Sequence, residues 1–135
     1  MVEDNPTDVF VIRQILLGCG LNLRVEVARN GQEALVYLEG LSGSRPAMAT
    51  ALVLLDLNVP KVTGIELLQF IRTKSCLRQM PVIVVTSSNA ESDRTAAERL
   101  GADGYFPKPA DLNAYQRLAA LVRDVIGRTG QASLS

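Results

Sequence analysis

Histidine is absent from this chain of 135 residues. Its absence excludes Ser-His-Asp and Cys-His catalysis and the zinc sites that use an imidazole. Cysteine is scarce: Cys19 and Cys76 stand alone, with no CxxC spacing. Cys19 falls near the end of an apolar helical pattern, where packing accounts for it, and free thiols are expected rather than a disulfide. No charge excess exists, since 14 basic residues balance 14 acidic ones. Nothing therefore drives binding to nucleic acid or to a membrane surface. Long apolar runs are also missing; the longest span about five residues, against roughly 20 for a bilayer crossing. Met1-Val2-Glu3-Asp4 is acidic where a secretory leader would be basic and then apolar. The expectation is a cytoplasmic protein.

What is present suits one globular domain with a sizeable core. Hydrophobic residues make up 47% and charged ones 21%, a balance that excludes disorder. The organising stretch is Leu52-Val53-Leu54-Leu55-Asp56-Leu57-Asn58. A short unbroken apolar run of this kind predicts a strand buried on both faces, as in a parallel sheet covered by helices. Such a strand has no wet side for an acid, so Asp56 is expected at its carboxyl end. In open α/β sheets that edge binds ligands.

Around it the chain alternates. Met1-Val2 is a very short first strand before Glu3-Asp4. Asn5-Pro6-Thr7-Asp8 opens a helix carrying Val9, Ile12, Ile15, Leu16 and Cys19, which Gly18 and Gly20 stop. Leu23 to Ala28 alternates apolar and charged, predicting an edge strand. Asn30 and Glu33 form a capping-box-like start for a second helix, and Gly40 to Thr50 is a long connector. Thr63 caps a third helix expected to carry Leu77 near its end. Val82 to Thr86 is a second buried strand, Ala90 to Leu100 a polar helix, and Tyr105-Phe106 a short strand. After Pro107-Lys108-Pro109, Asp111 caps a last helix that Gly127 is expected to end. Leu121 and Val125 are expected at the margin of its apolar face, where they would widen it toward a dimer contact. Residues 1–127 then form one domain and 128–135 a flexible tail. The alternation argues a doubly wound α/β parallel sheet with helices on both faces.

Setting every strand's carboxyl end on one edge gathers Glu3, Asp4, Asp56, Thr86 and Lys108. Three acids in one pocket repel each other, and a hard divalent cation offsets this best. Mg²⁺ fits oxygen ligands and retains waters; the carbonyl of Asn58 would add a ligand. The set suits phosphoryl transfer. Asp56 would be the nucleophile, Lys108 and Mg²⁺ would neutralise the phosphoryl oxygens, and Thr86 would donate its hydroxyl to one of them.

This set, with the strings Val2-Glu3-Asp4-Asn5-Pro6 and Leu55-Asp56-Leu57-Asn58-Val59-Pro60, resembles the receiver domain of two-component response regulators. The resemblance implies a flavodoxin-like five-stranded sheet of order 2-1-3-4-5. It also implies a switch that accepts phosphate on Asp56 from a sensor histidine kinase and catalyses only its own phosphorylation and dephosphorylation. By resemblance Glu3, Asp4, Asp56 and Asn58 hold Mg²⁺, and Thr86 with Tyr105 forms the switch pair. Output would pass through protein contacts or dimerisation at the fourth helix, fifth strand and fifth helix. The long connector and Thr86-Ser87-Ser88 are similar to single-domain regulators of phytochrome-type kinases. Lacking histidine, the chain needs a partner or a small acyl phosphate as donor. Two departures stand out. The acid pair is Glu-Asp where the family often has Asp-Asp, and only two residues precede it, so the chain is expected to start late.

Rival readings are a phosphohydrolase of the haloacid dehalogenase type, an FMN carrier of the same topology, and a receiver-like scaffold that takes no phosphate. The first needs an acid two residues after the nucleophile, where Asn58 stands. The second needs a phosphate-cradling loop where Glu3 and Asp4 stand. The intact five-residue set argues against the third.

Overall fold

A computed structural model describes residues 1–21, 24–42, 52–75 and 77–134. Cys76, Leu23 and connector residues 43–51 lie outside the described residues. Helix α1 (Pro6–Leu17) begins where the Asn5 side chain accepts from the amides of Thr7 and Asp8 at 2.9 and 3.1 Å. Pro6 sits in the first turn, where its missing N–H costs nothing. Helix α2 is Gly31–Ser42, with Asn30 Oδ1 accepting from the Glu33 amide at 2.9 Å. Glu33 in turn accepts from the Arg29 amide, one residue earlier than a standard capping box. Helix α3 (Gly64–Thr73) has the full box between Thr63 and Glu66. Helix α4 is Glu91–Arg99. A 3-10 turn, Leu112–Tyr115, capped by Asp111, leads into α5, Gln116–Leu134.

Strands β1 (Val53–Leu55), β2 (Val82–Thr86) and β3 (Gly104–Pro107) pair in parallel in that order. Val2 bridges Leu55 on one side and Ala28 on the other, both in parallel. The Val2 amide donates to Leu54 at 2.8 Å and the Glu3 amide to Ala28 at 2.9 Å. The row across the sheet is thus Ala28, Val2, β1, β2, β3, which is the order 2-1-3-4-5. The first two strands are reduced to single bridges among the described residues. Each needs consecutive partners to become a ladder.

Alternate residues of each strand feed opposite faces. Val53, Leu55, Val82 and Val84 pack with Leu38, Leu67, Leu68 and Ile71 on the α2–α3 side. Leu54, Ile83 and Val85 pack with Ile12, Leu16, Leu118 and Val122 of α1 and α5 on the other. Every residue of β1 and β2 is buried, as the unbroken apolar runs require.

Several expected boundaries move. Helix α3 stops at Thr73 because Lys74 turns to extended backbone; Leu77 is buried in the turn beyond. Gly40 lies inside α2. Gly127 does not end α5, which continues to Leu134. Its φ is not positive, so the chain never leaves the right-handed region there, and a glycine inside a helix costs only about 1 kcal/mol. Leu121 and Val125 also correct the expectation of a free margin. Val125 is 1% exposed, and Leu121 is half-buried, packing toward Gly104 of β3. Both belong to the core.

Candidate functional site

Lys108 directly follows β3, and its amide donates to the Thr86 carbonyl at 2.8 Å, fixing it to the end of β2. Its ammonium then meets three carboxylates: Glu3 Oε1 at 2.8 Å, Asp56 Oδ2 at 2.8 Å and Asp8 Oδ2 at 2.9 Å. An ammonium has three N–H donors, so each carboxylate takes one. Glu3 and Asp56 are buried. Burial would lower the pKa of Lys108, but the carboxylates of Asp56, Glu3 and Asp8 overcome it and raise the pKa above the usual lysine range. Burial pushes Glu3 up to about 7; the Lys108 ammonium only partly offsets this, and the charge of Asp56 adds to it.

The second oxygen of Asp56 accepts from the Asn58 amide at 3.0 Å, and Glu3 Oε2 accepts from the Asn5 amide at 3.2 Å. Glu3, Asp4 and Asp56 each present a carboxylate oxygen, all within 4.8 Å of one another. Three hard oxygen donors at that spacing fit a small divalent cation, and the exposed Asp4 leaves room for waters. Asn58 lines the same cleft of about 730 Å³, with Ser87, Lys108 and Pro109.

Thr86 is fully buried, and its hydroxyl accepts from the Ser88 amide at 3.1 Å. It is not among the described residues lining the cleft. Tyr105 donates to the Ser88 carbonyl at 3.3 Å, with the Arg94 guanidinium 5.4 Å from its ring centre. The two expected switch residues therefore meet through one intermediary, Ser88. Its hydroxyl donates to Asp93 of α4 at 2.6 Å.

Sequence reasoning missed Asp8 and Tyr115. Asp8 is the third residue of α1, the position whose acid usually reciprocates the cap, which hid it. Glu3 takes the Asn5 amide instead, so the Asp8 carboxylate turns to Lys108. Tyr115 is a core residue, 2% exposed, yet its hydroxyl donates to Asp8 Oδ1 at 3.5 Å.

The chain is similar to known proteins over most of its length. The family model described as response regulator receiver domain matches residues 1–120. The chain is 35% identical over 127 residues to the probable methanogenesis regulatory protein FilR2 of Methanothrix harundinacea, covering 92% of this chain and 79% of that one. It is 30% identical over 112 residues to the response regulator Rcp1 of Synechocystis, covering 83% and 76%. The Mn²⁺-bound structure of Rcp1 superposes with a TM-score of 0.80 at 28% identity, covering 90% and 88%. The phosphorylated cyanobacterial phytochrome response regulator RcpA gives 0.78 at 32%, covering 91% and 88%. The bacteriophytochrome response regulator AtBRR gives 0.71 at 40%, covering 92% and 88%.

Proposed function

We propose, from the premise that the chain belongs to the response regulator receiver domain family, that Asp56 is the residue on which it takes phosphate. The chain is a phospho-accepting signalling switch. The observation supporting Asp56 as acceptor is its buried carboxylate, paired with the Lys108 ammonium at 2.8 Å and flanked by Glu3 and Asp4. A carboxylate oxygen of Asp56 attacks phosphorus. The O–P bond forms as the P–N bond of a donor phosphohistidine breaks, and the leaving imidazole retains the electron pair and takes up a proton. Lys108 faces the oxygens that gain charge. Glu3, Asp4, Asp56 and the Asn58 carbonyl would hold Mg²⁺, which when bound would supply charge neutralisation at those oxygens. Asn58 cannot act as the general acid of a phosphohydrolase, so turnover of small phosphate esters is not expected.

Thr86 and Tyr105 form the switch. Phosphate adds close to two negative charges at the sheet edge. The Thr86 hydroxyl is drawn toward them and releases Ser88, to which Tyr105 and Asp93 are bound. Helix α4 then repacks as a shift between two states. The donor is a sensor histidine kinase of phytochrome type, a reading supported by the likeness to the phytochrome response regulator RcpA and the bacteriophytochrome response regulator AtBRR. Output passes to a protein partner or a second copy through α4, β3 and α5. The switch works in the cytoplasm; among the described residues no helix is long and apolar enough to cross a membrane.

Incubation with acetyl phosphate, read by intact mass, tests this. One Mg²⁺-dependent phosphate adduct is expected on the wild type and none on Asp56→Asn. An equal adduct on Asp56→Asn moves the acceptor elsewhere; no adduct on folded wild type favours a scaffold.

Glu3 adds a pH dependence. Its folded pKa lies above its value in the unfolded chain, so its proton stabilises the metal-free protein fully below about pH 4.5, and this contribution is lost as pH rises through about 7. Mg²⁺ needs the ionised form. Its affinity should rise about tenfold from pH 6 to pH 8, by the proton competition of a single group with pKa about 7. Calorimetric titration at the two pH values checks this, and equal affinities contradict it.

A further inference from the structure

Lys108 is a charge on a flexible four-carbon stem, and it works only if held at Asp56. Two of its three anchors are needed for other work. Asp56 becomes an ester on phosphorylation, and Glu3 is a ligand for the cation. Asp8 is the one anchor that neither task claims. It lies in the first turn of α1, 2.9 Å from the ammonium, with its other oxygen held by Tyr115 at 3.5 Å. Tyr115 is buried and fixed against Phe106, their ring centres 5.9 Å apart. The backing for Asp8 is therefore core, not solvent.

We infer that Asp8, braced by Tyr115, is a positioning residue for phosphoryl uptake, holding the Lys108 ammonium at the acceptor while Asp56 and Glu3 turn to phosphate and cation. The inference rests on the reading of Asp56 as acceptor. The Asp8 carboxylate is held between Lys108 and Tyr115, so it acts through Lys108. An amide in its place keeps the shape and loses the charge that makes the hydrogen bond strong.

The test is the initial rate of adduct formation with acetyl phosphate at saturating Mg²⁺, followed by intact mass. Asp8→Asn is expected to slow uptake about tenfold, the scale of one hydrogen bond to a charged group. In a Lys108→Ala background the same substitution should change the rate by less than about twofold, because the two act as one unit. Asp8→Glu should recover part of the loss. A role in folding alone, or a general charge effect, would slow both backgrounds alike, and that result overturns the inference. So does an Asp8→Asn rate within about twofold of wild type. Failure of the underlying reading looks different: wild type takes no phosphate, or Asp56→Asn takes it as well, and the inference falls with it.

Discussion

Replacing Lys108 by alanine is expected to slow phosphoryl uptake about 10²–10³-fold at saturating Mg²⁺, the usual scale for losing one preorganised charge at a reacting oxygen. The same substitution should tighten Mg²⁺ binding, by about tenfold. The opposite signs follow from one geometry. Lys108 holds Glu3 and Asp56 at 2.8 Å each, so it occupies oxygens that the cation also needs. Removing it leaves Glu3, Asp8 and Asp56 without their shared counter-charge, and a divalent ion becomes the best replacement. The metal-free variant should lose stability, and Mg²⁺ should restore more of it than in wild type. Stopped uptake with weakened Mg²⁺ binding would mean a collapsed pocket rather than a lost catalytic charge. Calorimetry and adduct kinetics on the same preparation separate the two.

Gly64→Ala is expected to destabilise the fold by about 3 kcal/mol or more, at the upper end of overpacking costs. A Cβ at Gly64 would lie 2.5 Å from the Asp56 carbonyl oxygen and 2.5 Å from Leu57 Cα. Both neighbours are backbone, so no side chain can swing away. The amide of Gly64 also donates to Leu57 at 3.1 Å, fixing the start of α3 beneath the acceptor. Relief of the clash must move Asp56, so variant protein that remains folded should also take phosphate more slowly. Urea unfolding measures the first effect; a change within about 0.5 kcal/mol of wild type would contradict it.

The legible parts of this chain were those where burial leaves one option. Unbroken Val and Leu runs can only be two-sided strands, and an acid after such a run can only lie at its end. Asp56 and Thr86 follow from that argument alone, whereas Lys108 follows a short strand, Gly104–Pro107, that is not buried throughout. Glu3 and Asp4 follow from the same placement once Met1-Val2 is taken as a strand, although Val2 forms only isolated bridges. Asp8 was hidden by a local rule. An acid in a first helical turn reads as dipole compensation, and nothing nearby in sequence reveals that Lys108 returns to it across the fold. Leu77 and Gly127 misled for a related reason: helix ends depend on packing and single dihedral angles as much as on residue type. Arg72 was silent too. Its guanidinium donates to the carbonyls of Met80, Leu100 and Gly101, each at 2.8 Å, and so ties α3 to the end of α4. A long charged side chain in a helix looks solvated until its partners are placed.

Four carboxylates crowd the Lys108 pocket, and the central claim is that only one of them takes phosphate. Borohydride reduction of the phosphorylated protein, followed by peptide mass mapping, decides among them directly. Borohydride converts an aspartyl phosphate to homoserine. Homoserine is expected at position 56, with Glu3, Asp4 and Asp8 unchanged. Reduction at any of those three, with Asp56 intact, would contradict it.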